Sequence, residues 1–327
     1  MRSLATLILI LTLNITGFSC SGNVNKDDPE SSDKTEKVSA NIDKEKIYIG
    51  RTDEVGILIE DNRTHQKDKE FDFEDINGYV NYFNFVNGIA KTYKGDDIEV
   101  TIEDYKPEFK RLTDLKLNDK LYIATDNEVL EGYIARYYIN TDDEIGSGNA
   151  FYSVADVPNA LLLKTDMIVI ASRDKITSPI NTKKVTDAGV IDKAMEVMKP
   201  KTKGMKMTDF EGNIEQEVDV KLSSEDFTAI ALENGDYAVG FNKRLNFDTY
   251  ISCIFIMNSS GEVTNWIENF TEPKFDYTTL MGVIDLNGDG ELEYLVETGY
   301  YEGAGYGLYK SNKGVLEAIA TGFFFGV

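Results

Sequence analysis

The chain is poor in the residues that build small metal clusters and covalent staples. Its 327 residues include one histidine, His65, and two cysteines, Cys20 and Cys253. That excludes a zinc site of several His and Cys ligands and a disulfide scaffold. Basic residues are scarce too: 34 Lys and Arg stand against 57 Asp and Glu, a formal charge of −23. Such a balance repels nucleic acid and anionic headgroups and argues against a polyphosphate-binding role. No apolar run is long enough to span a bilayer. The longest, Leu4 to Ile15, falls short of the roughly 20 residues a crossing helix needs. Hydrophobic residues make up 42% of the chain and aromatics 11%, which places it among folded globular proteins.

The apolar run follows Met1-Arg2-Ser3 and ends Thr16-Gly17-Phe18-Ser19-Cys20. A short basic start and a short apolar stretch form an export signal. Ser19-Cys20 resembles the cleavage site of bacterial lipoproteins, in which a small residue precedes the acylated cysteine. Gly17 departs from the leucine usual in that family, with Ile15 and Leu13 just upstream. The resemblance implies a signal peptide at 1–19, lipidation (palmitate) at Cys20, and attachment to the membrane through N-terminal acyl chains without a spanning helix. The expected address is the bacterial cell envelope, at the outer membrane, with the periplasmic or surface face left open. Residues 20–45 carry Asn23, Lys26-Asp27-Asp28 and Ser31-Ser32-Asp33 and few large apolar groups, the composition of a flexible acidic tether.

From Lys46 the pattern becomes short alternating segments. Expected strands are Ile47–Gly50, Val55–Glu60, Tyr79–Val86, Ile89–Tyr93, Ile98–Ile102, Leu121–Thr125, Val129–Ile139, Ala160–Lys164 and Met167–Ala171. Asn77-Gly78 and Asn87-Gly88 read as hairpin turns. The spacing predicts an N-terminal β-barrel or sandwich over 46–180, followed by a linker over 172–186. One helix is expected at 187–199, capped by Thr186 or Asp187 and stopped by Pro200. The remainder of 186–327 carries turn signals at Asn234-Gly235, Ser260-Gly261, Asn287-Gly288 and Lys313-Gly314, about 26 residues apart. Recurring hairpins predict a C-terminal antiparallel β-meander, propeller-like but too short to close a ring. The fold class is therefore mainly β.

The strongest chemical signal is Asp285-Leu286-Asn287-Gly288-Asp289-Gly290-Glu291-Leu292-Glu293. Oxygen-bearing side chains alternate, and Gly290 permits a left-handed turn. Calcium takes six to eight oxygen ligands, and alternate residues of a tight loop can aim their oxygens at one centre. The flanks read as strands and position 12 is Val296, which departs from an EF-hand. The segment Gly282–Tyr309 resembles the calcium hairpin of FG-GAP or VCBS-like repeats. That resemblance implies a structural calcium ion held by Asp285, Asn287, Asp289, Glu291 and Glu293. A plain acidic turn is the alternative, since Asn-Gly and Asp-Gly favour turns without any ion.

Beyond the loop, Tyr300, Tyr301 and Tyr306 on a glycine-rich stretch form a candidate platform for stacking a sugar or a peptide. Ser172-Arg173-Asp174-Lys175 is a chance Ser-x-x-Lys match, since a strand precedes it. No Gly-x-Ser-x-Gly elbow accompanies His65. Cys253 lies in an apolar strand and reads as a core thiol. No catalytic residue is assigned. The sequence favours an exported binding or adhesion module with a glycan or protein ligand. A carboxylate-dependent glycan hydrolase and a protein-partner assembly or inhibitor module are the alternatives.

Overall fold

A computed structural model of the chain describes residues 43–61, 68–71, 76–94, 99–140, 150–158, 164–208, 215–246, 249–270, 272–300 and 303–326. The signal segment, Cys20, most of the tether, His65, Tyr301 and the expected strand residues 160–163 lie outside them. The fold is mainly β, as the alternation predicts.

The N-terminal part is a closed antiparallel barrel. Its strands are β1 (Ile47–Asp53), β2 (Gly56–Glu60), β3 (Glu99–Ile102), β4 (Lys120–Ala124), β5 (Val129–Asn140), β6 (Ala150–Asp156) and β7 (Ile168–Ser172). They pair in the order β3-β5-β4-β7-β1-β2-β6, and β6 returns to β5, closing the ring with β3 outside it. Alternation sets the two faces. Tyr48, Ile57, Ile59, Leu121, Ile123, Tyr137, Phe151 and Val169 join one cluster, and Ile47, Ile49, Leu58 and Ile170 join another on the opposite face.

A helix, α1 (Ile76–Lys94), packs on the first cluster. This corrects the two strands expected at Tyr79–Val86 and Ile89–Tyr93 and the turns at Asn77-Gly78 and Asn87-Gly88. Neither glycine adopts positive φ. Tyr82, Val86, Ile89 and Ala90 lie on one helical face and are all buried. Burying that face outweighs the roughly 1 kcal/mol that each helical glycine costs. The aromatic, β-branched composition that suggests strands is what the barrel needs from its plug.

The C-terminal part is two stacked four-stranded meanders. The first comprises β10 (Phe227–Ala231), β11 (Tyr237–Arg244), β12 (Tyr250–Met257) and β13 (Val263–Glu268). The second comprises β14 (Tyr277–Ile284), β15 (Glu293–Tyr300), β16 (Gly303–Asn312) and β17 (Val315–Gly326). All four expected turn glycines, Gly235, Gly261, Gly288 and Gly314, adopt positive φ. Ile230, Ala238, Ile254 and Ile256 face Leu280, Val283, Tyr294 and Val296 between the sheets. The second sheet's other face, with Leu295, Leu308, Ile319 and Phe323, packs on the barrel wall.

The helix α2 (Ala188–Thr202) covers the first sheet with Val190, Ala194 and Met198. The Asp187 side chain caps it by accepting from the Gly189 N–H at 2.8 Å. Pro200 lies inside its last turn rather than ending it. The ring removes the N–H that would bond the carbonyl of Glu196, and that residue is exposed to water. A short hairpin, β8 (Met205–Thr208) with β9 (Glu215–Val218), leads from α2 towards the first sheet. The layers thus run α1, barrel, second meander, first meander, α2.

Candidate calcium loop

The loop between β14 and β15 is opened by the pair Ile284–Glu293. Eight residues separate strands that a two-residue turn could join, and the loop's own side chains accept from several of its amides. The Asp285 carboxylate accepts from Gly288 N–H at 2.7 Å and Gly290 N–H at 2.9 Å. The Asn287 Oδ1 accepts from Asp289 N–H at 3.1 Å, and Asp289 Oδ1 accepts from Glu291 N–H at 2.7 Å. Asn287 Nδ2 donates to Asp289 Oδ2 at 2.9 Å. Gly288 and Gly290, at φ 79° and 89°, supply the left-handed steps that wrap the chain around these side chains. Leu286 points into the apolar layer between barrel and sheet.

Glu293 closes the loop from beneath. It is 3% exposed and accepts from Leu286 N–H at 2.9 Å. Burial pushes its carboxyl up to about 7, the nearby Asp289 and Asp285 charges push the same way, and the Leu286 N–H opposes them. A carboxyl in this setting gains from an adjacent cation, which would offset both the burial and the like charges.

The donor chemistry fits a hard cation: five oxygen-bearing side chains, no thiol and no imidazole. Each Asp285 oxygen bonded to an amide keeps a further lone pair for an ion. Among the described residues, no group of three or more His, Cys, Asp or Glu side chains is gathered around one point. In the conformation seen here, the loop's side chains serve its own amides.

Sequence reasoning missed what lies over the loop. The segment between β7 and α2, expected as a linker, is a hydrogen-bonded strap. Thr177 Oγ1 and Ser178 Oγ both donate to the Asp285 carbonyl, at 2.9 and 2.8 Å, and Thr177 N–H donates to the Leu286 carbonyl. Ile180 N–H then donates to Thr125 of the barrel at 2.8 Å. Asn181 bonds both ways with Val283 of β14, and its side chain donates to Ala231. Val185 N–H reaches Ala229 of β10. A Cβ on Gly288 would sit 3.3 Å from Thr177 Cγ2, so the loop and strap are in contact. Ser178-Pro179 was the available signal, because the residue before proline is held extended.

The other singled-out residues are scattered. Tyr306 is half-buried on the face of β16 that meets the barrel, beside Glu297, and burial raises its phenol. Tyr300 is half-buried at the end of β15. Cys253 is fully buried, 3.9 Å from Met198 Sδ, and burial drives its thiol up. Ser172 is 2% exposed and accepts from Asp174 N–H, in a strand end rather than a catalytic helix. A groove of about 610 Å³ at the end of α2 is lined by Met195, Lys199, Lys203, Val220, Leu222 and one carboxylate, Asp219. It does not furnish the pair of carboxyls a glycan hydrolase requires.

No family model, curated protein or solved structure matches the chain. The likeness to FG-GAP or VCBS-like hairpins therefore rests on residues 282–309 alone.

Proposed function

We propose that the protein is an exported, lipid-anchored envelope protein whose Asp285–Glu293 loop takes one structural calcium ion, and that it serves as a binding or adhesion module. The observation that carries the calcium reading is the buried Glu293 closing a loop of Asp285, Asn287, Asp289 and Glu291, directly beneath the strap. Asp285, Asn287 and Asp289 would hold the ion with their side-chain oxygens, the Glu291 carbonyl would add a main-chain oxygen, and Glu293 would close the site. When bound, the cation supplies charge neutralisation and cross-linking. The chain's own residues do the rest: the left-handed glycines hold the loop wrapped, and Thr177 and Ser178 carry its position to the barrel and the first meander.

The anchoring reading is supported by the short apolar run and Ser19-Cys20. No helix among the described residues is long and apolar enough to cross a membrane. The partner chemistry favoured by the acidic surface is a glycan or a protein rather than a nucleic acid.

Isothermal titration of the chain with calcium and with magnesium tests the ion. One site for calcium, weaker for magnesium and lost in Asp289→Ala, is the expected result. No heat with either ion overturns it. In cells, Cys20→Ser should abolish acyl labelling and move the protein out of the membrane fraction.

A further inference from the structure

Within the apolar contact between the C-terminal strand and the barrel wall lies a polar point at Phe323. Ile319, Ala320 and Phe323 of β17 share a cluster with Ile47, Ile49 and Leu58 of the barrel wall. At this point β17 slips register against β16, between Ala304 and Tyr306, and Phe323 takes φ 52°. A bulky residue in the left-handed region is unfavourable and persists only where its surroundings over-determine it. Here three contacts do so. The Phe323 ring stacks on Tyr152 of β6, with centroids 5.5 Å apart and planes 7° from parallel. The Arg51 guanidinium of β1 lies 5.2 Å from the ring centroid. The Phe323 N–H donates to the Glu60 carboxylate at the end of β2. Gly322 allows the approach, since a Cβ there would lie 3.1 Å from Ile49 Cβ and 3.3 Å from Glu60 Oε2.

The groups facing this point come from every element packed on it. Burial acts most strongly on Glu60 and pushes it up to about 7. The Phe323 N–H and the Arg51 charge pull it down, and Asp61 pushes it up. Tyr82 of α1 and Tyr152 of β6 face Glu60, and burial followed by its charge drives both phenols up. Tyr138 of β5 and Asp53 of β1 act on Tyr152, and Tyr306 of β16 feels the Arg51 charge. Arg51 Nε is buried with no hydrogen-bond partner, so the guanidinium acts here through its charge and its ring contact. The tyrosines stay protonated through neutral pH while the carboxyl changes charge.

We infer that Glu60 and Phe323 form a proton-controlled latch between the barrel and the C-terminal strand, firm in mild acid and loosened in mild alkali. The charged carboxylate keeps its hydrogen bond but is half-buried beneath Gly322 and Phe323, so it is only partly hydrated. The neutral carboxyl still offers a carbonyl oxygen to the Phe323 N–H without that burden.

Amide hydrogen exchange of the full chain at pH 6 and pH 8, corrected for intrinsic rates, tests the latch. For one carboxyl of this kind, linkage predicts about tenfold greater protection at Gly322 and Phe323 at pH 6 than at pH 8. Glu60→Gln should flatten this response while leaving any pH response of the 285–293 loop in place. An equal pH response in Glu60→Gln, or none in the wild type, overturns the latch. If Glu60→Gln does not fold, carbon NMR of the wild-type Glu60 carboxyl decides. A midpoint near 7 with the Phe323 amide shift tracking it supports the latch. A midpoint near the ordinary 4.5, or an amide that does not follow, contradicts it.

Discussion

The barrel and the paired meanders dispose of unpaired strand edges in opposite ways. The barrel closes on itself: β5 pairs with β6 over Tyr133–Asn140, and β1 with β7 across more than a hundred residues of sequence. The meanders stay open and build from neighbouring strands, and their first strands β14 and β10 are pinned by the strap at Asn181 and Lys184. The barrel is therefore a structure of distant partners, held or lost as a unit. Each meander hairpin can form locally, and the strap then fixes how they stack. The candidate ion loop belongs to the local kind but sits under the long-range strap, so it lies where the two designs meet.

Core truncation should separate the two regions most sharply. Phe109 is fully buried and packs on Tyr137 and Phe151, at 4.9 and 5.1 Å between ring centroids. Phe109→Ala is expected to cost about 3–5 kcal/mol in denaturant unfolding. Exchange protection should fall throughout the barrel while the β11–β12 amides keep theirs. Equal loss in both regions would show that they unfold as one body.

A pH scan should produce the next largest effect. The Glu60 carboxyl is raised to about 7 in the fold from an ordinary 4.5. The fold therefore binds the proton more tightly than the unfolded chain does. The resulting stability is fully present below about pH 4.5 and is lost as pH rises through about 7, a span of up to about 3 kcal/mol. Unfolding free energies of wild type and Glu60→Gln across pH 5–8 check this, since the difference between the two curves isolates the residue.

Two glycines sharpen the comparison further. At Gly240, in the contact between the meanders, a Cβ would fall 2.6 Å from Leu280 Cβ. Gly240→Ala should cost about 1–3 kcal/mol by forcing the sheets apart. Gly235 has φ 86° and open space around it, so Gly235→Ala should cost only the left-handed penalty, about 1 kcal/mol. A reversal of that order would mean that sheet contact matters less than turn geometry.

The same contrast explains what the sequence could reveal. In the meanders each strand pairs with its neighbour, so Gly235, Gly261, Gly288 and Gly314 mark the true turns. In the barrel, pairing is non-local and turn signals bear less on the outcome. Asn77-Gly78 and Asn87-Gly88 lie inside α1, whose apolar stripe Tyr82–Val86–Ile89 has strand-like composition but buries at helical spacing. The oxygen-rich loop was legible because its alternation is local. The strap was not: Thr177 and Ser178 meet Asp285 across more than a hundred residues, and nothing in their neighbourhood announces that partner. Glu60 was equally hidden, since its setting is made by Arg51, Tyr152 and Phe323 from three other strands.

The most direct test of the account is thermal unfolding of the chain in millimolar calcium and in chelator, alongside Asp289→Ala. The account predicts a midpoint that rises with calcium in the wild type and does not move in the variant. An unchanged wild-type midpoint would contradict it and leave Asp285–Glu293 as an acidic turn held only by its own amides and the strap.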